Sequence, residues 1–128
     1  MLNEINTLSD EDGNKFLKKY NEFIDMQNRA MQPFHDSLQN DAELSKKLNE
    51  ISLPEWNNAE ALVKEIQNYR VSEKIKNKIE AMREYVRLRK EQIEMVEKIA
   101  NEGMEKYQEQ YNELGKKLDK AVDDLDRL

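Results

Sequence analysis

The chain has no cysteine, one histidine, three glycines and two prolines in 128 residues. Without thiols there is no disulfide, no zinc–thiolate site and no cysteine nucleophile. The compartment stays open, because cytosolic and exported proteins can both lack cysteine. The single histidine, His35, is the only neutral nitrogen ligand available. A di-iron bundle site places Glu three residues before each ligand His. Here that position is Gln32, so His35 reads as a structural or surface residue.

Other signals are missing as well. No apolar run exceeds three residues, so no segment reads as a membrane span. The opening MLNEINTLSDEDG has no basic stretch followed by an apolar one, unlike a signal peptide. The expected location is cytoplasmic if Met1 is the native start, and periplasmic or surface-exposed if Met1 replaces a removed leader. No glycine-rich phosphate loop and no histidine–acid–nucleophile set stands out. The segment SDEDG has some flavour of a calcium loop but lacks the later Glu. The acids are many, yet nearly all lie off the apolar stripes, where water would solvate them rather than split their pKa values. The expectation is a non-enzyme with no cofactor and no metal.

What is present is charge and periodicity. Charged residues make up 38% of the chain and apolar residues another 38%, with a net charge of −6. Abundant Glu and Lys with few breakers favour long, solvated helices. The acidic balance disfavours a general nucleic-acid binder, which needs a basic surface to displace counterions. Regular apolar spacing argues against disorder.

At about 100° per residue, Phe16, Tyr20, Phe23, Ala30, Phe34 and Leu38 fall on one arc, widened by Ile24 and Met31. This predicts helix one over about 10–39, capped by Ser9 or Asp10. The arc keeps its phase across Pro33, so a kinked but continuous helix is expected there. Asn40 with Glu43 fits a capping box for a short second helix, about 41–52, with Leu44, Leu48 and Ile51 as its stripe. Pro54 disfavours helical geometry at Leu53 and suits the start of helix three, about 55–70. Ala59, Leu62, Ile66 and Tyr69 form that stripe, and Trp56 stands in the loop before it as a plug for the core.

The strongest pattern lies in the last segment. Ile75, Ile79, Met82, Val86, Arg89, Ile93, Val96, Ala100, Gly103 and Tyr107 alternate steps of four and three. Tyr111, Leu114, Leu118, Ala121, Leu125 and Leu128 resume after one extra step of four. Heptads broken by one eleven-residue repeat predict a long, nearly straight helix. Helix four is expected over about 73–128, roughly 80 Å long at 1.5 Å per residue. Helix one would reach only about 45 Å. The two last stripes lie on opposite faces, so a turn near YRVSEK is expected, with Ser72 as cap.

The fold expected is all-α: a single domain of three main helices and one short one, ending in a long coiled-coil-like helix. Its distal stripe would outrun its neighbours and need cover from a second subunit, a partner helix or a fold-back at Gly103 or Gly115. The functional expectation is a non-enzymatic interaction or assembly module, homo-oligomeric or bound to a helical partner, without nucleic acid. Arg89, Tyr107, Tyr111, Leu114, Leu118 and Leu125 are its candidate contact residues. Arg89 interrupts the apolar stripe, where it would snorkel to water or pair with an acid to fix register. The basic run REYVRLRK reads as a solvated face or a dock for the acidic first half. The alternative is a small-ligand or sensor domain with a pocket near the Pro33 kink, lined by Trp56, Phe34 and Tyr69.

Overall fold

The computed structural model describes residues 2–36 and 40–127, with side chains from Asp12 onward. Among the described residues every element is helical and no strand is present. Leu38 and Leu128, placed on stripes by their spacing, lie outside the described residues.

Helix α1 runs over Leu2–Ala30. It begins well before Ser9 and Asp10, which therefore sit inside it and do not cap its start. At its other end the expected kinked helix through Pro33 does not occur. α1 stops at Ala30, Met31 makes a turn, and a one-turn helix α2 follows over Gln32–His35. Pro33 occupies the first turn of α2, where its missing N–H is no loss. Asp36 then leaves in extended geometry, with φ −81° and ψ 150°.

Helix α3, Asp41–Lys47, starts as predicted, with the Asn40 side chain accepting from the Glu43 N–H at 2.8 Å. It does not end before Pro54. A π-helical segment, Leu48–Ser52, carries the chain directly into α4, Leu53–Ile66. The Leu53 N–H donates to the Leu48 carbonyl, five residues back, and Leu53 is helical at φ −58° and ψ −45°. Widening the helix by one residue relieves the clash that Pro54 would impose on a regular turn. Trp56 therefore stands in the first turn of α4, not in a loop.

Helix α5 spans Glu73–Glu102, and its cap is the predicted one: the Ser72 hydroxyl accepts from the Ile75 N–H at 3.3 Å. The expected long helix 73–128 does not form. Gly103, at φ 93° and ψ 153°, ends α5, and α6 runs over Met104–Arg127. Of the three covers foreseen for the distal stripe, the fold-back at Gly103 is the one adopted. Gly115 lies within α6.

Paired side chains give the helix directions. α1 is antiparallel to α4: the Arg70 N–H donates to Asp12 (2.6 Å), Lys19 meets Glu65 (3.4 Å), and Arg29 meets Glu55 (2.9 Å). α4 is antiparallel to α5 through Lys90–Glu60 (3.3 Å) and Gln67–Glu80 (3.5 Å). α6 returns along α5, so that Lys78 Nζ donates to the Leu125 carbonyl at 3.3 Å. That ammonium also lies 4.5 Å from the centre of the Tyr20 ring, tying α1, α5 and α6 together. A cation at the last carbonyls of α6 is favoured by the helix dipole.

The core is aromatic at its centre. Tyr85 is 2% exposed and meets Phe23 of α1 (6.5 Å between centroids) and Trp56 of α4 (5.6 Å, at 84°). Edge-to-face rings of this kind add to what area burial alone supplies. Around them Met82, Val63, Ile66, Leu48 and Ala30 are all fully buried.

Candidate functional site

The seam between α5 and α6 follows from a second stripe on α5. Ile79, Met82, Val86, Ile93 and Val96 are buried as their spacing predicts. So are Tyr85, Leu88 and Ile99, with Ala81 and Met95 partly buried beside them. These recur on the neighbouring face at steps of four, three, seven and four, giving α5 two buried stripes. Glu84 flanks the second stripe, and Lys117 of α6 lies near enough to help draw its carboxyl below the ordinary range. The larger cause of that shift is the hydrogen bond from Arg87, at 2.6 Å. α6 thus packs on the Glu84 side of α5.

The α6 side of the seam holds three of the residues expected to reach an outside partner. Leu114, Leu118 and Leu125 are buried, together with Ala121, against the chain's own α5. Each buried leucine contributes about 1.5–3 kcal/mol relative to exposure. The antiparallel return also sets the aspartates near the end of α6 beside the basic start of α5, where residues 72–90 sum to +4. Tyr111 packs partly buried at the edge of the core. Met104 and Val122, on α6, and Leu17, on α1, keep 42%, 36% and 59% of their surface exposed.

At the hinge, the Gly103 N–H donates to the Ile99 carbonyl at 2.8 Å, closing α5. Its φ and ψ fall where side-chain-bearing residues are strained. The space around it is open, and a Cβ there would meet nothing within 4 Å. Across the hinge, Lys106 donates to Glu102 at 2.7 Å and the Tyr107 hydroxyl donates to the other Glu102 oxygen. In an uninterrupted helix residues five apart point about 140° away from each other. The Tyr107–Glu102 bond therefore belongs to the folded-back chain. Hydrogen bonds from Lys106 and then Tyr107 hold the Glu102 carboxyl below its ordinary range. The same contacts raise Lys106 and Tyr107 above theirs.

Arg89 bonds to neutral side chains rather than to an acid. Its Nε donates to the Tyr85 hydroxyl (3.0 Å) and its Nη1 to the Gln92 side chain (2.9 Å), with the guanidinium carbon 5.1 Å from the Tyr85 ring centre. The phenol of a buried ring thus receives its partner from the one cation in the first stripe. In the basic run, Arg83 pairs with Glu80 (3.0 Å), Arg87 with Glu84 and Glu91, and Lys90 with Glu60. Three of these pairs lie along α5 itself, and only Lys90 docks on the first half.

The three candidate pocket residues do not converge. Trp56 is 1% exposed against Tyr85, and Tyr69 lies beyond the opposite end of α4, with its hydroxyl 3.5 Å from Glu65. Phe34 is partly buried on α2, and His35 beside it is exposed. A groove of about 230 Å³ opens instead between α4 and α5, over Val63 and Val86, rimmed by Glu60, Lys64, Arg83 and Arg87. Among the described residues no group of three His, Cys, Asp or Glu could hold a metal ion, and no helix is long and apolar enough to cross a membrane.

Tyr85, Leu88, Val63 and Ser52 are among the fully buried residues that spacing did not single out. Tyr85 falls between Met82 and Val86, and only the weaker run Ala81, Tyr85, Leu88, Met95, Ile99 would have revealed its face. Ser52 carries no local signal at all. Compared with protein-family models, with curated proteins and with solved structures, the chain matches none of them.

Proposed function

We propose that the chain is a non-enzymatic helical interaction module whose working surface is the seam between α5 and α6. One observation supports this above others: α6 has its substantial packing with α5 alone among the described elements. Its stripe has the spacing that pairs helices in coiled coils. A helix of matching stripe and charge can take the place of α6 on α5, with the basic start of α5 selecting an acidic end. The test is a labelled peptide of residues 104–127 added to the whole chain. Binding that Leu118→Asp in the peptide abolishes supports the reading, and no binding at any accessible concentration contradicts it.

A second reading, a small-ligand or sensor domain, has its support in the groove over Val63 and Val86 and not around Trp56. A thermal-shift screen followed by Trp56 fluorescence tests it.

A further inference from the structure

The groove between α4 and α5 already holds a carboxylate at its edge. Its first hollow, of about 230 Å³, lies over Val63 and Val86. A second hollow of about 330 Å³, over Val71 and Ile79, shares Gln67 with the first. At this junction the Glu80 carboxylate accepts from the Gln67 amide across the groove (3.5 Å) and from Arg83 on its own helix (Nη2 at 3.0 Å, Nε at 3.2 Å). Donors from both walls thus converge on one anion. The hold on that anion is loose. Arg83 and Glu80 keep 64% and 57% of their side-chain surface in water, and an exposed pair of this kind contributes little. Donors are also left over: Arg83 Nη1 and the Lys64 ammonium, both on the rim of the first hollow, take no acid among the described residues. Glu60, the acid on that rim, is answered by Lys90 from outside it at 3.3 Å. The aliphatic stems of Lys64 and Arg83 extend the apolar floor upward.

We propose that this groove binds a small amphipathic carboxylate, for which Glu80 is the internal stand-in. The ligand's carboxylate displaces that of Glu80 and accepts from Arg83 and from the unpaired Lys64, while a short apolar body lies over Val63 and Val86. An arginine fork matches a carboxylate through two parallel hydrogen bonds, and Arg83 and Arg87 on this rim both hold carboxylates in the structure. The hollow is smaller than the roughly 300–1,000 Å³ of drug-sized sites, which limits the ligand to a short chain or a single ring. The anion supplies orientation and the apolar body supplies what a free anion lacks, so both halves are needed in one molecule. This assignment rests on the small-ligand reading above and names its ligand class.

Titration with sodium hexanoate, followed by the methyl resonances of Val63 and Val86, tests the proposal. The expected result is a saturable shift of both at millimolar ligand. Sodium acetate and 1-hexanol, the charged and the apolar halves alone, should each bind about fivefold more weakly or worse. Lys64→Gln and Arg83→Gln should each weaken hexanoate by about fivefold or more, and Glu80→Gln should strengthen it, because the competing carboxylate is gone. All three side chains are exposed, so the variants keep the fold, and tighter binding by Glu80→Gln is a gain that a loosened fold does not produce. The proposal is overturned if Val63 and Val86 show no saturable shift, if 1-hexanol binds as tightly as hexanoate, or if Glu80→Gln weakens binding. A neutral or cationic compound from the thermal-shift screen that seats over Val63 and Val86 while hexanoate does not overturns the carboxylate and leaves the small-ligand reading standing. A screen in which no compound reaches this groove removes that reading as well.

Discussion

The Ser52 hydroxyl donates to the Ala30 carbonyl, joining the end of α1 to the π-helical segment within the buried core. Two prolines create the need for it. Pro33 cannot donate to Arg29, and the Phe34 N–H bonds to Met31 rather than reaching Ala30. The freed Ala30 carbonyl is buried and needs a donor. The π segment before Pro54 supplies one, because it carries Ser52 to full burial at that point.

Ser52→Ala should therefore cost about 1–3 kcal/mol, the penalty of an unsatisfied buried carbonyl. Urea unfolding followed by circular dichroism measures it. An unchanged midpoint would mean that water or another group takes over the bond.

Tyr85 makes the second prediction, because its ring and its hydroxyl do separate work. Tyr85→Ala removes a ring packed on Phe23 and Trp56 and should cost about 3–5 kcal/mol. Tyr85→Phe keeps the ring and takes only the acceptor from Arg89, for about 1 kcal/mol. In an Arg89→Met background the cost of Tyr85→Phe should shrink, which a double-mutant cycle reads directly. Equal costs in both backgrounds would deny the bond any role.

Tyr107 reports on the hinge through its titration. Its hydrogen bond to Glu102 raises its pKa above the ordinary phenol range, and burial adds to this. A raised folded value means that the protonated phenol favours the hairpin, fully below the unfolded pKa. The benefit is lost as pH rises through the folded value. The Glu102 carboxyl, held low by Lys106 first and Tyr107 second, works in the opposite direction. Its benefit is present above the unfolded carboxylate pKa and fades as pH falls through the folded one. Lys98 lies on the same side and acts on Glu102 alike. Difference absorbance titration of the chain against Tyr107→Phe should find a phenol titrating late. Glu102→Gln should bring it back toward the ordinary value.

The sequence makes some of this legible and hides the rest for physical reasons. Asn40 and Ser72 cap their helices as read, because a cap is a local bond between a side chain and an N–H three residues on. Leu114, Leu118 and Leu125 are apolar contacts as read, yet they turn inward. Periodicity finds the face of a helix but not the direction of the chain, and one glycine reverses that direction without disturbing the phase. The proline rule fails at Leu53 because it is a local preference, and the helix that carries Leu48 and Trp56 to full burial on either side overrides it. The supposed pocket of Trp56, Phe34 and Tyr69 fails because spacing says nothing of position along a helix. Tyr85 escaped notice because α5 carries two buried stripes and the stronger one masks the weaker.

The most direct test is the distance between residue 77, exposed on α5, and residue 126, exposed on α6. Asn77→Cys and Asp126→Cys, labelled as a donor–acceptor pair and read by single-molecule energy transfer at high dilution, report one chain at a time. Folded back at Gly103, the two sites lie at the same end of the hairpin, within about 20 Å, since packed helix axes are about 8–10 Å apart. A continuous helix would separate them by about 70 Å at 1.5 Å per residue. High transfer in the dilute monomer is the result predicted, and a separation near 70 Å would contradict the fold-back on which the account depends.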